Sequence, residues 1–150
     1  MASSSVAYDW YRTLAKPEWA PPSWVFGPVW SVLYVLIAVS FGTVFYMVYR
    51  KALPAAVALP FVLNLVFNLS FTYFQFGLKN NLLASVDIVL VLATLVWALA
   101  SIYAVSLTRH IETGAPGLGW IIYVNIPYLL WVSFATVLQL TITWMNWKNR

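Results

Sequence analysis

Four long runs of apolar residues, separated by short polar or charged stretches, dominate the sequence. They lie at about 28–49, 54–78, 82–107 and 120–144. Each run is long enough for a helix of about 20 residues, the length that crosses a hydrocarbon core about 30 Å thick. We therefore predict an all-α fold, a polytopic membrane helix bundle with four transmembrane helices.

The ends of the runs indicate how the helices connect. The first run opens at Pro28, and proline is tolerated at a helix start. It stops at Arg50 and Lys51. Because the connections are short, neighbouring helices should be antiparallel. We expect residues 1–150 to form one domain, with 1–27 as its N-terminal segment and loop.

With four spans, both chain termini lie on the same side of the membrane. Cationic residues are more frequent on that side, which predicts that both termini face the cytoplasm. The residues on the side of the termini are Arg12, Lys16, Lys79, Lys148 and Arg150, and those on the other side are Arg50, Lys51 and Arg109.

The composition agrees with a membrane protein and excludes several kinds of site. Hydrophobic residues make up 63% of the chain and charged residues 8%, whereas soluble proteins have about 45–50% and about 25%. The absence of cysteine excludes disulfides and thiolate metal ligands. One histidine and four carboxylates are too few for a metal cage or a serine-type triad. We predict no metal site, no obligatory cofactor and no nucleic-acid partner.

A segment rich in proline and tryptophan precedes the first helix. Proline fixes φ and removes a backbone donor, so the chain before Pro28 is predicted to be a stiff loop. Trp19, Trp24 and Trp30 are set among the prolines. We interpret this segment as a lid that leads into the first helix. Its prolines are Pro17, Pro21, Pro22 and Pro28.

Three of the predicted helices carry polar or aromatic residues at helical spacing. Polar residues inside spans turn toward the bundle or a cavity, so these stripes can meet in an uncharged pocket for a large, flat, mostly apolar ligand. The alternative is that the amides join helices and the aromatic rings are ordinary core. The stripes are Trp30, Tyr34, Ile37 and Phe41 in the first helix, Asn64, Asn68, Phe71 and Gln75 in the second, and Asn125, Tyr128, Trp131, Ala135 and Gln139 in the fourth.

Two titratable residues need separate interpretation. Asp87 interrupts the third run, where it is either a proton-coupling carboxylate or a structural acid bonded to backbone or paired with Lys79. We favour the structural interpretation. His110 is expected to be a solvated residue in the loop after the third helix.

Five sequence blocks resemble the tryptophan-rich sensory protein and translocator protein (TspO/MBR) family. They are KPEWAPPSW at 16–24, GPVWSVLY at 27–34, NLVFNLSFTYFQF at 64–76, NLLASVD at 81–87 and IPYLLWVSFAT at 126–136. The blocks occur in the family's order and extend over most of the chain.

The resemblance implies a helical membrane protein that binds tetrapyrroles such as protoporphyrin IX in a pocket under the proline-rich loop. Trp30 and Trp131 match two pocket tryptophans linked to light-dependent porphyrin breakdown in some members. If the protein is an enzyme, we expect no reaction other than this light-dependent oxidative breakdown. Asn68 matches a pocket amide, and Ala135 matches a small residue beside the ligand. Trp19, Pro21, Pro22 and Trp24 would form the lid.

The sequence departs from the family in two respects. Typical members have a span before the loop, whereas fifteen residues precede Lys16 here. We therefore expect a short, four-helix member whose pocket is open to lipid, covered by residues 1–15, or closed by a second subunit. The last helix also lacks the tyrosine of a sterol-binding pattern, so sterol binding is not expected.

The leading hypothesis is a binder of a porphyrin or a similar flat amphipathic molecule, active in tetrapyrrole handling or in a light or stress response. Tyr34, Asn64, Phe71, Gln75 and Tyr128 complete its predicted site. Its expected partners are membrane lipid and the small molecule, with a homodimer left open. The rivals are a proton-coupled exporter of aromatic compounds that uses Asp87 and a membrane scaffold without catalysis.

Overall fold

The computed structural model describes residues 14–74, 80–114 and 117–147, and all of its regular elements in these ranges are helices. A short 3-10 turn at Ser23–Val25 leads directly into helix α1, Phe26–Tyr49. The other helices are α2 at Ala55–Thr72, α3 at Asn81–Thr113, α4 at Gly119–Val124 and α5 at Ile126–Met145. The predicted all-α membrane bundle is confirmed.

Helices α1, α3 and α5 are long and apolar enough to cross a membrane, and Ala55–Phe71 in α2 is a shorter apolar helix. Many large apolar side chains on α1 and α3 are exposed, among them Val35, Val39 and Val96. In a bilayer such side chains face lipid, where exposure of apolar surface carries no penalty. The predicted second span, 54–78, extends past α2 into residues 75–79, which lie outside the described ranges.

Helix α1 ends as its sequence predicts, but without glycine. Lys51 has φ of 61°, and the Ala52 N–H donates to the Met47 carbonyl at 2.8 Å while the Lys51 N–H donates to the Val48 carbonyl at 3.0 Å. These two bonds form the Schellman arrangement that satisfies the last carbonyls of a helix. Pro54 follows as the N-cap of α2 and turns the chain back.

Helix α3 is longer than predicted, because it continues past residue 107 to Thr113. The Asn80 side chain caps its start by accepting from the Leu83 N–H at 3.0 Å. It ends at Gly114, whose φ of 68° suits a residue without Cβ. The prediction of His110 in a loop was wrong, since polar residues there belong to the last helical turns and the breaker comes four residues later.

The fourth predicted span, 120–144, is divided into two helices at Asn125. Pro127 explains the break, because it has no N–H for the Tyr123 carbonyl and its ring clashes with that carbonyl in a continuous helix. The chain re-forms a helix at Ile126, with Pro127 in the first turn. The first turns of α5 contact α1 through the ring pairs Trp30–Tyr128 and Phe26–Trp131.

The core is one cluster of buried residues contributed by α1, α2, α3, α4 and α5. At its centre the rings of Phe41 and Phe61 meet edge to face, with centroids 4.8 Å apart. Tyr128 and Val132 of α5 are fully buried in the same cluster. This core fixes the relative positions of α1 and α5, the two helices that bear the candidate site.

Candidate ligand-binding site

Five polar residues from four helices form a continuous chain of hydrogen bonds, here called the polar seam. It consists of Tyr34 on α1, Asn64 and Asn68 on α2, Thr94 on α3 and Tyr128 on α5. The Tyr34 hydroxyl donates to Asn68 Oδ1 at 3.1 Å, and Asn68 Nδ2 donates to the Tyr128 hydroxyl at 2.7 Å. The Tyr128 hydroxyl in turn donates to Asn64 Oδ1 at 2.8 Å.

The seam ends on the backbone of α3. Asn64 Nδ2 donates to the Val91 carbonyl at 2.9 Å and to Thr94 Oγ1 at 3.2 Å. Asn64 and Tyr128 are completely buried and Asn68 is 3% exposed. Because both asparagine carbonyls and both Asn64 amide protons already have partners within the protein, the seam has little bonding capacity left for a ligand. It joins the helices, as interhelical hydrogen bonds in membranes do.

Trp30 lies against the seam. Its ring centroid is 5.5 Å from that of Tyr34 and 6.3 Å from that of Tyr128. Phe71 is half-buried and packs on the hydrophobic core. The structure therefore groups Trp30 and Tyr34 with the two asparagines and Tyr128, in a closely packed region.

A different part of the protein contains an open cavity, here called the apolar groove, with a volume of about 730 Å³. It runs between α1 and α5 beneath the proline-rich loop. Val32 is 61% exposed and Leu130 is 65% exposed, so the groove opens on the outer surface of the bundle, toward lipid in a membrane. Its lining consists of Pro21, Pro28, Val29, Val32, Leu33, Pro127, Leu130, Trp131 and Phe134.

Trp131 is the largest side chain of the groove. Its ring centroid is 5.9 Å from that of Phe26 and 5.6 Å from that of Phe134. Its Nε1 is buried and has no hydrogen-bond partner within the described ranges. The groove wall thus contains two aromatic rings, those of Trp131 and Phe134, and Phe26 packs against Trp131.

The predicted N-terminal segment and lid, 1–27, is described from residue 14, and residues 14–25, here called the lid, lie on α5. Two turns shape it, in which the Ala20 N–H donates to the Pro17 carbonyl and the Val25 N–H donates to the Pro22 carbonyl, each at 3.0 Å. The Trp19 ring meets that of Phe134 edge to face at 5.8 Å. Trp24, by contrast, is 72% exposed. Of the predicted lid residues, Pro21 lines the groove, while Pro22 and Trp24 face outward.

The residues predicted to share one pocket therefore divide between two neighbouring regions. Tyr128 belongs to the seam and Trp131, three residues later on α5, belongs to the groove. Ala135 is half-buried and packs on the core, and Gln75 lies outside the described residues. The sequence analysis missed most of the groove, because its valines, leucines and prolines have no feature that separates a ligand surface from a lipid-facing one.

The remaining predicted polar residues of α5 have partners of their own. Asn125 Nδ2 donates to Ser40 Oγ at 3.0 Å and to the Ile121 carbonyl at 2.8 Å, which ties the break between α4 and α5 to α1. Gln139 Nε2 donates to Thr143 Oγ1 at 3.2 Å and lies near Asn81 of α3. Both residues contribute to helix contacts away from the groove.

Asp87 is buried in α3, with 3% of its surface exposed. Its Oδ2 has no hydrogen-bond partner within the described ranges. Lys79, the partner considered from the sequence, lies outside them. Within the same ranges, no group of three or more histidine or acidic side chains could hold a metal ion.

Comparison with known proteins gives one consistent result. The profile of the TspO/MBR family matches residues 1–145. The chain is 38% identical over 137 residues to the tryptophan-rich protein TspO of Bacillus cereus, which covers 91% of this chain and 80% of that protein. It is 32% identical over 138 residues to the protein CrtK of Rhodobacter capsulatus (91% and 78%). It is also 32% identical over 135 residues to the translocator protein of Homo sapiens (87% and 70%).

Proposed function

Because the chain belongs to the TspO/MBR family, we propose that it binds a tetrapyrrole, or a flat amphipathic molecule of similar shape, in the apolar groove. The protein is an integral membrane protein, and the groove faces the lipid in which such a ligand dissolves. Binding of this kind would serve tetrapyrrole handling or a light or stress response.

The observation that carries the proposal is the groove itself. Its volume of about 730 Å³ lies within the range of about 300–1,000 Å³ that is usual for small-molecule sites. Its walls are aliphatic and aromatic, and the rings of Phe26, Trp131 and Phe134 form one cluster. Aromatic walls favour a flat conjugated ligand through stacked and edge-to-face contacts.

Trp131 is the residue expected to contact the plane of such a ligand, because it has the largest aromatic ring in the groove lining. If light-dependent oxidation of a porphyrin occurs, Trp131 would be the nearer tryptophan, with Trp30 behind it in the seam.

The test is to fill the groove. Val32→Trp places a large ring in the opening, and Val35→Trp places the same ring on a nearby lipid-facing position of α1 that is 63% exposed and outside the groove lining. Purified protein is titrated with protoporphyrin IX while the absorption band of the porphyrin is followed. We expect saturable binding that Val32→Trp abolishes and Val35→Trp leaves intact. Absence of saturable binding, or equal binding by both variants, would refute the proposal.

One observation favours a second candidate function, proton-coupled export of aromatic compounds. Asp87 is a buried carboxyl group inside a membrane span, and its Oδ2 has no hydrogen-bond partner in the part of the chain that the structure describes. Intramembrane carboxyl groups are frequent in proton relays. In proteoliposomes with an imposed pH gradient, this function predicts efflux of an aromatic cation that Asp87→Asn abolishes. Glu112→Gln, at an exposed position, is the control. Efflux unaffected by Asp87→Asn would exclude the role.

We also propose that both termini face the cytoplasm, on the basis of the distribution of cationic residues. A green fluorescent protein fused after Arg150 in a bacterial host should then be fluorescent, and an alkaline phosphatase fused at the same point should be inactive. An inactive fluorescent protein together with an active phosphatase would place both termini on the opposite side of the membrane. A homodimer remains a prediction.

A further inference from the structure

The N-terminal end of the lid is fastened to the last turn of α5 by one side chain. The Ala15 N–H donates to Asn146 Oδ1 at 3.1 Å, and Asn146 Nδ2 donates to the Ala15 carbonyl at 2.8 Å. The asparagine amide therefore bonds both backbone groups of one residue, as a neighbouring backbone would. The two residues are 131 positions apart in the chain.

The Asn146 side chain is also held by its own helix. The second amide proton of Asn146 goes to the Ile142 carbonyl at 2.8 Å, which fixes the plane of the side chain on α5. Asn146 is 5% exposed. Both amide protons and the amide oxygen of Asn146 thus have partners. Among side chains of this length, only asparagine has two donors and an acceptor.

Apolar contacts continue the attachment along the lid. Leu14, Ala20 and Phe26 pack with Phe134 against Leu138 and Ile142 of α5. At its other end the lid runs covalently into α1. The lid therefore connects the two walls of the apolar groove. It is joined to α1 covalently and to α5 only by non-covalent contacts, so loss of the Asn146 hydrogen bonds would weaken its attachment to α5.

We propose that Asn146 is a clasp that holds the lid on α5 at the Pro21 end of the apolar groove and thereby controls the rate at which a ligand enters and leaves the groove at that end. The effect on ligand exchange rests on the proposed function, whereas the attachment of the lid does not. The amide of Asn146 bonds Ala15 and Ile142, which lie outside the groove lining, so Asn146 acts through the lid as a positioning residue. Loss of two hydrogen bonds of ordinary net strength corresponds to about a tenfold change in an opening equilibrium.

The first experiment measures the clasp without a ligand. In the native protein we expect the Ala15 amide to be protected from hydrogen exchange. Asn146→Leu removes all the bonds, and Asn146→Asp keeps only an acceptor for the Ala15 N–H, so protection should fall in the order native, Asp, Leu. Thr141→Val is the matched control, because the Thr141 hydroxyl bonds the Val137 carbonyl of its own helix. Equal exchange at Ala15 in all four proteins would overturn the proposal.

The second experiment locks the clasp. The chain contains no cysteine, so Ala15→Cys with Asn146→Cys introduces a single pair of thiols. We expect protoporphyrin IX to dissociate about tenfold faster from Asn146→Leu than from the native protein, and more slowly from the oxidised cysteine variant than from the reduced one. Each single-cysteine variant should be insensitive to reduction.

The two experiments separate the possible failures. If protoporphyrin IX binds to none of the proteins, the proposed function is wrong, and hydrogen exchange at Ala15 still decides the clasp. If the porphyrin binds but dissociates at the same rate from the native protein, Asn146→Leu and both forms of the cysteine pair, the clasp does not control exchange. If the cysteines fail to join, the dissociation rates of Asn146→Leu and Thr141→Val decide between control of exchange and no control.

Discussion

The polar seam and the apolar groove share the helices α1 and α5, and they differ in polarity, exposure and internal bonding. The seam is buried, polar and internally bonded through Asn64, Asn68 and Tyr128. The groove is open, apolar and walled by Trp131 and Phe134. About one turn of α5 separates Tyr128 from Trp131, yet Tyr128 joins helices and Trp131 lines the open groove.

This difference shows what polarity means inside a membrane protein. Lipid tails are as apolar as the protein, so helices gain little free energy by burying leucine against leucine. Hydrogen bonds between helices therefore contribute to helix association. Amides are therefore found where helices meet. A ligand that dissolves in the bilayer needs instead a shaped apolar surface from which lipid is displaced, and the groove is such a surface.

Tyr128→Phe should have the largest effect on the seam. The phenylalanine keeps the ring that contacts Trp30 but removes two hydrogen bonds, leaving Asn64 Oδ1 unpaired. We expect the free energy of unfolding in detergent to fall by about 1–3 kcal/mol, with little change in the Kd for protoporphyrin IX. Tyr123→Phe, at a position that is 78% exposed, is the control. A large loss of affinity with unchanged stability would mean that the seam, not the groove, binds the ligand.

Trp131→Leu should show the opposite pattern. Loss of the indole removes the largest aromatic surface of the groove, so we expect the Kd for protoporphyrin IX to rise by about tenfold or more. The free energy of unfolding should change less than in Tyr128→Phe. Trp97→Leu, on α3 and 45% exposed, is the matched tryptophan control. Equal affinities of Trp131→Leu and Trp97→Leu for protoporphyrin IX would show that Trp131 does not contact the ligand.

Tyr34→Phe should have a smaller effect than Tyr128→Phe, because Tyr34 is at the end of the seam and donates one hydrogen bond, to Asn68 Oδ1. We expect the free energy of unfolding to fall by about 0.5–1.5 kcal/mol. Chemical denaturation of the two single variants and the double variant measures whether the bonds are coupled. Strictly additive losses would show that the seam does not act as one network.

Val32→Ala should have the smallest effect, and it acts only on the groove. Val32 is largely exposed, so removing two methyl groups takes away a small contact area and should weaken porphyrin binding by about twofold. Val35→Ala, on the lipid-facing side of the same helix, should leave the Kd unchanged. A measurable loss of affinity in Val35→Ala alone would place the ligand on a different face of α1.

The sequence was sufficient to predict the features that depend on local chemistry. Apolar runs predicted the membrane helices, Arg50 and Lys51 marked the end of α1, and the prolines before Pro28 predicted an ordered loop. Pro127 carried the signal for the break at Asn125, but a long apolar run concealed it. Arg109 and His110 are residue types typical of a helix end, yet α3 continues past them with polar residues to Thr113.

The sequence could not separate the seam from the groove. Helical spacing places Asn68, Tyr128 and Trp131 on converging faces, but it does not say which side chains bond one another and which remain free. That choice depends on the distance between helices, which the Phe41 and Phe61 contact sets.

The groove lining and the clasp are also invisible in the sequence. Val29 and Leu130 have the same chemistry as any lipid-facing residue, so nothing in the apolar run distinguishes them. Asn146 gave no signal, since its partner Ala15 is near the other end of the chain.

The most direct measurement is a structure of the protein with protoporphyrin IX bound. We predict that the porphyrin lies between α1 and α5 beneath Pro21, with its plane against Trp131 and with the bonds among Asn64, Asn68 and Tyr128 unbroken. A porphyrin inserted between Asn68 and Tyr128, or bound away from Trp131, would contradict this assignment of the two regions.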